Sequence, residues 1–218
     1  MVIFDCNGVL VDSESIASSV LAEAFGCVGI TVKAEVLARR FHGRRPADIF
    51  AEVEAATGKK LPTEFAARVT SETLRRLRGE LRPIPHAARA LTWVRGPKAV
   101  ASSSPFERIR TSLEVSGLLH FFSWRLFSAG GVARGKPAPD LFLHAAARAQ
   151  VDPAHCFVVE DSAAGVSAAA AAGMTPIGFV GSSDTPGRLA NELGAAGARA
   201  VIADLRALHA TLLELRGW

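Results

Sequence analysis

From residue 86 onward, short apolar runs alternate with helix-period segments, and one further apolar run, residues 2–6, stands far upstream of them. The runs are Ala99 to Ala101, Trp124 to Phe127, Cys156 to Val159, Thr175 to Phe179 and Ala200 to Ile202. The helical segments cover 86–95, 105–116, 139–149, 163–172, 186–194 and 204–215. Strands spaced by helices read as βαβ units and so as a parallel sheet. Between the first run and the rest, the patterns are all helical: Ile16 to Phe25, Val32 to Phe41, Pro46 to Thr57 and Pro62 to Leu81. The expected fold is α/β, a Rossmann-like parallel-sheet core of residues 1–12 and 83–218, with a small all-helical cap, residues 13–82, inserted after the first strand.

Two helix starts have local chemistry of their own. Ser13 is a residue type able to accept from the free N–H groups of a first turn. Ser104-Pro105-Phe106-Glu107 reads as a serine cap, a proline at the first helical position and a glutamate three residues after the serine. The hinges of the insert are expected at Asp12 to Glu14 and Arg82 to Pro85.

With 218 residues, 49% of them hydrophobic, the chain can bury a sizeable core. Its formal charge of +4 comes from arginines spread among acidic residues, without the clustering that a nucleic-acid surface needs. A mild attraction for anionic metabolites is the better reading. No apolar run approaches the ~18 residues of a membrane span, and the sequence opens directly on a strand, so a cytoplasmic protein without a membrane partner is expected. Cys6, Cys27 and Cys156 lack C-x-x-C spacing and are read as reduced packing residues. The arginine-rich stretch from Arg75 to Arg82 is read as facing water, and a monomer is expected.

In open parallel sheets, ligands bind beyond the carboxyl ends of the strands. Those ends carry Asp5, then Ser102-Ser103-Ser104, then Glu160-Asp161, while Lys136 sits in Gly135-Lys136-Pro137 before a helix. Singly, each has an ordinary explanation as a capping, loop or solvated residue. An acidic nucleophile, a hydroxyl, a cation and an acidic pair, each at a strand end or its following loop, rarely coincide by chance.

Val2 to Glu14, Lys98 to Pro105, Gly135-Lys136-Pro137-Ala138-Pro139-Asp140 and Val158 to Val166 together resemble the four motifs of the haloacid dehalogenase-like hydrolases. The resemblance covers nearly the whole chain and is nearest the sugar-phosphate phosphatase and β-phosphoglucomutase branch. It implies that Asp5 attacks phosphorus to give an aspartyl-phosphate and that Ser102 and Lys136 hold the phosphoryl oxygens. Two carboxylates facing a dianionic phosphate repel it unless a hard cation lies between them, and oxygen ligands suit Mg²⁺. The implied ligands are Asp5, the main-chain carbonyl of Asn7 and Asp161, with Glu160 acting through water. The insert then resembles a cap whose loop Phe41 to Pro46 meets substrate through Gly43, Arg44 and Arg45, and Ser103 is a further candidate for substrate binding. His42, in the same loop, is read as incidental.

The resemblance fails at one position. Where the family pattern has a second aspartate that protonates the leaving oxygen and activates water, this chain has Asn7, whose amide has no proton to exchange at neutral pH. The implied activity is a Mg²⁺-dependent phosphatase of a small phosphorylated sugar or sugar acid, impaired as written. A binding protein that captures phosphorylated metabolites is the alternative. A phosphomutase is less favoured, because the position at which mutases carry a histidine is Ala17.

Overall fold

The computed structural model of the protein describes residues 1–217. The chain runs β1 (Val2–Phe4), β2 (Val11–Asp12), α1 (Glu14–Cys27), α2 (Ala34–Phe41), α3 (Pro46–Thr57), α4 (Phe65–Glu80), β3 (Arg82–Pro83), α5 (Ala87–Trp93) and β4 (Lys98–Ser102). It continues through α6 (Phe106–Val115), β5 (Leu126–Ser128), α7 (Asp140–Ala149), β6 (Phe157–Glu160), α8 (Ala163–Ala171), β7 (Thr175–Phe179), α9 (Pro186–Ala195), β8 (Ala200–Ile202) and α10 (Leu208–Arg216). Six strands form one parallel sheet in the order β5-β4-β1-β6-β7-β8, the Rossmann-like α/β arrangement expected from the alternation.

Strand alternation builds the core. Val2 and Phe4 face one apolar layer with Val100, Val159, Ile109 and Leu91, while Ile3 faces the other with Ala99, Val158, Phe142 and Ala145. Successive side chains on a strand point to opposite faces, so a sheet covered on both sides reads as an unbroken apolar run. Each large side chain fully buried this way contributes about 1.5–3 kcal/mol. Cys6 and Cys156 are buried as packing residues, but Cys27 is exposed at the end of α1, against the expectation for it.

Register decides where the chemistry lies. Phe4 pairs with Val100 on one side and Val159 on the other, so the residue after it, Asp5, comes level with Ala101 and Glu160. The Asp5 amide donates to the Val159 carbonyl at 2.9 Å, extending the ladder as far as the carboxylate.

The insert is helical, as its periodicity predicts, but its two junctions add a feature absent from the sequence reading. β2 and β3 pair antiparallel, Val11 with Pro83 and Asp12 with Arg82, so entry and exit of the insert are stitched together. Two-residue strands are too short to show a period. Inside the insert, Leu21, Phe25, Ile30, Leu37, Ile49 and Phe65 form a separate small core, with Phe25 and Phe65 stacked at 5.2 Å. Leu74, Leu77 and Ile16, nearer the junctions, belong instead to the main core. No helix among the described residues is long and apolar enough to cross a membrane.

Candidate active site

The strand ends and the insert enclose a cavity of about 90 Å³, lined from the core by Asp5, Asn7, Ser102, Ser103 and Asp161, and from the insert by Gly43 and Arg44 among others. Lys136 and Glu160 stand behind this wall. Lys136 Nζ donates to Asp5 Oδ1 at 2.6 Å, to the Ala101 carbonyl at 3.2 Å and to Glu160 Oε1. Burial works against the lysine charge, yet the Asp5 and Glu160 carboxylates together hold its ammonium above the usual lysine range. Burial pushes both carboxyls up, Glu160 to about 7, with Lys136 opposing the rise in each. The Asp161 charge adds to the upward pressure on Asp5.

Glu160 is bonded through both oxygens on the protein side. Its second oxygen accepts from the Ser162 amide at 3.2 Å and from the Ser162 hydroxyl at 2.9 Å, so in this arrangement the carboxylate orients Lys136. To the expected water-mediated metal role of Glu160 the structure adds a lysine-positioning one.

The side chain of Asn7 is clamped by three serines. Its Nδ2 donates to Ser104 Oγ at 2.9 Å and more weakly to Ser102 Oγ at 3.4 Å, and its Oδ1 accepts from Ser13 Oγ at 2.8 Å. This corrects both cap assignments. Neither Ser13 nor Ser104 gives its helix a side-chain cap, and α6 begins at Phe106 with Pro105 at its cap position. The two buried hydroxyls meet the half-buried Asn7 amide and leave their helix ends without a side-chain bond.

Glycine makes room at two points. Gly8 has φ +74, and a Cβ there would run into Asp161 Oδ2, so only glycine lets the Asn7 loop approach that carboxylate. Gly43 has φ +73, and a Cβ would strike the Ser162 side chain. Its carbonyl accepts from Ser103 Oγ at 2.7 Å, which ties the insert loop to the end of β4.

His42, read from sequence as incidental, places Nε2 3.1 Å from Asp161 Oδ2. The Asp161 charge, against the cost of burial, raises the imidazole to about 10. A contact across 119 residues leaves no local trace in the sequence. The two arginines diverge. Arg44 lines the cavity while donating to Glu52 at 2.6 Å, but Arg45 is turned to Asp48, with bonds of 2.9 and 3.0 Å, and takes no part in the wall. The substrate-facing expectation for Arg45 is corrected to one of fixing the start of α3. Glu14 and Arg108, not singled out in the sequence, also line the cavity. Burial raises the Glu14 carboxyl, with His42 and Arg108 opposing.

No group of three or more His, Cys, Asp or Glu side chains suited to a metal occurs among the described residues. What the site offers is smaller, two buried carboxylates and a carbonyl. Lys136 takes one oxygen of Asp5 and His42 one of Asp161, leaving each carboxylate its second oxygen. The Asn7–Val11 bridge uses the Cys6 carbonyl and the Gly8 amide, not the carbonyl of Asn7. This all-oxygen set fits a hard divalent cation.

Residues 1–173 match the haloacid dehalogenase-like hydrolase family. The chain is 36% identical over 174 residues to the 6-phosphogluconate phosphatase of Escherichia coli, covering 79% of each chain. It is 32% identical over 179 residues to that organism's fructose-1-phosphate phosphatase YqaB, covering 80% of this chain and 93% of the relative. A family hydrolase from Deinococcus radiodurans, solved with bound phosphate and sodium, superposes with a TM-score of 0.72 at 30% identity, covering 98% of this chain and 94% of that one. The chain belongs to the haloacid dehalogenase-like hydrolases. Within that family it is an enzyme of the phosphoric monoester hydrolase type.

Proposed function

We propose that the chain hydrolyses small phosphorylated metabolites, sugar or sugar-acid phosphates, through attack of Asp5 on phosphorus. The observation that carries this reading is the placement of Asp5, buried on the cavity wall with Lys136 donating to one of its oxygens at 2.6 Å. A carboxylate oxygen of Asp5 forms the new bond to phosphorus as the ester oxygen leaves, and water then cleaves the aspartyl-phosphate, returning the carboxylate and releasing phosphate. Lys136, held by Glu160, and the Ser102 hydroxyl stabilise charge on the phosphoryl oxygens. Asp5, Asp161 and the Asn7 carbonyl would hold Mg²⁺, which when bound neutralises phosphoryl charge. Gly43 and Arg44 from the insert and Ser103, just after β4, would meet the rest of the substrate, and closure of the insert excludes water.

Asn7 limits the reaction. Its amide is well held but cannot give the leaving oxygen a proton or take one from water, which removes about 10² to 10⁴ in rate, roughly 3 to 5 kcal/mol of barrier. Ala17 lines the cavity with a methyl group where a mutase would need a titrating side chain, so hydrolysis is favoured over phosphomutation. The test is Asn7→Asp beside the chain as given, on a panel of sugar phosphates with Mg²⁺ and with EDTA. Expected are a gain of about 10² to 10⁴ in turnover and its loss on chelation. An Asn7→Asp variant that binds phosphate and turns nothing over would favour the phosphometabolite-binding alternative.

A further inference from the structure

Arg108, in the first turn of α6, lines both the main cavity and a smaller one of about 40 Å³ at the seam between α3, α4 and α6. Its Nη2 donates to Ser13 Oγ at 3.1 Å, and through Ser13 it connects to Asn7. Its Nε is buried and has no hydrogen-bond partner among the described residues. Nε and Nη2 form one edge of the guanidinium, the edge that matches a carboxylate with two parallel bonds. This protein uses that edge so elsewhere. Arg45 grips Asp48 through Nε and Nη2 at 2.9 and 3.0 Å, and Arg134 grips Asp140 at 3.1 and 2.9 Å. In Arg108 the same edge holds only a neutral hydroxyl, although Glu14 lines the same cavity.

A buried donor without an acceptor is costly to keep. Arg108 lines the cavity, so a shift of its side chain toward a bound anion would give that edge a partner. We propose that Arg108 is a specificity-determining residue for a carboxylate on the substrate, held at the α6 side of the cavity while the phosphoryl group lies at Asp5. The inference rests on the phosphatase reading and narrows its substrate class to phosphomonoesters bearing a second, carboxylate, anion. A charge-assisted bidentate pair favours such a compound over its neutral counterpart by about 10-fold to 100-fold.

The experiment compares 6-phosphogluconate with glucose 6-phosphate, which differ at the carboxylate end. Dissociation constants are measured calorimetrically for the chain as given, Arg108→Gln and Arg108→Lys, with thermal unfolding to verify that each variant folds. Expected is a preference of at least 10-fold for the acid in the parent, its disappearance in Arg108→Gln, and partial retention in Arg108→Lys, which keeps the charge but not the fork. Equal binding of the two ligands by the parent, no binding of either, or a preference that survives Arg108→Gln would overturn the assignment. Turnover of p-nitrophenyl phosphate by the Asn7→Asp variant is followed in parallel. Turnover there with no role for Arg108 in ligand choice leaves phosphate hydrolysis standing and removes only this inference, whereas no turnover sinks the hydrolytic reading itself.

Discussion

The strand ends and the helical insert handle charge in opposite ways. At the strand ends, Lys136, Asp5 and Glu160 are packed together out of water, and the lysine side chain is 1% exposed. On the insert, Arg76 links Glu23 on α1 to Glu72 on its own helix, Arg75 shares Glu72, and Arg40 and Arg44 share Glu52, all at the surface. A buried charge is tolerable only when paired and hydrogen-bonded, so the sheet must hold its cluster rigidly, whereas solvent-screened pairs hold their helices loosely. The difference suits the division of labour. The core fixes Asp5, Lys136 and Glu160, and the insert meets the strand ends through His42, which contacts Asp161, and Gly43, whose carbonyl accepts from Ser103.

Lys136→Met attacks that contrast where it is strongest. Removing the cation leaves two buried carboxylates facing each other, and the expected loss is about 3–5 kcal/mol in urea unfolding, together with loss of turnover in an Asn7→Asp background. A loss below about 1 kcal/mol would mean that water reaches the cluster. Leu37→Ala, in the small core of the insert, is expected to cost about 2–3 kcal/mol, near the lower end for such truncations. If the insert opens separately from the sheet, hydrogen exchange will speed in α1 to α4 while amides of β1, β4 and β6 keep their protection. Uniform loss of protection would make the two regions one cooperative unit, coupled through Leu74 and Leu77.

The smallest effect expected is from acid. Arg75 and Arg76 hold the Glu72 carboxyl down to about 2, so its contribution is fully present above the ordinary glutamate value of 4.5 and is lost as pH falls toward 2. The predicted consequence is a slight lowering of the melting temperature of the insert over that window, reduced in Glu72→Gln and weakened by salt. An effect equally large in Glu72→Gln would assign the acid sensitivity to other groups.

The strands were legible because their apolar runs are unbroken, and Thr175–Phe179 and Ala200–Ile202 match the expected limits. The insert was legible from its helical period, with α3 spanning the expected Pro46–Thr57. The β2–β3 ribbon was not, since two residues carry no period. Among the candidate residues, Asp5, Ser102, Lys136, Glu160 and Asp161 could be found because a parallel sheet delivers its strand ends to one edge whatever the details of packing.

What the sequence could not assign were the partners of groups with more than one option. Ser13 and Ser104 look like helix caps, and the local reading is sound until the half-buried Asn7 amide, six residues from one and 97 from the other, takes both hydroxyls. His42 and Arg45 lie in one loop, yet one reaches Asp161 and the other folds back on Asp48. The sequence alone determined the sheet, the insert, the order of Asp5, Ser102, Lys136, Glu160 and Asp161 and the presence of an amide at position 7, because these depend on residue type and period. Only the tertiary structure decided that Glu160 serves Lys136, that three serines clamp Asn7 and that Arg108 reaches the cavity. Those are choices between nearby and distant hydrogen-bond partners, made when burial removes water from the competition.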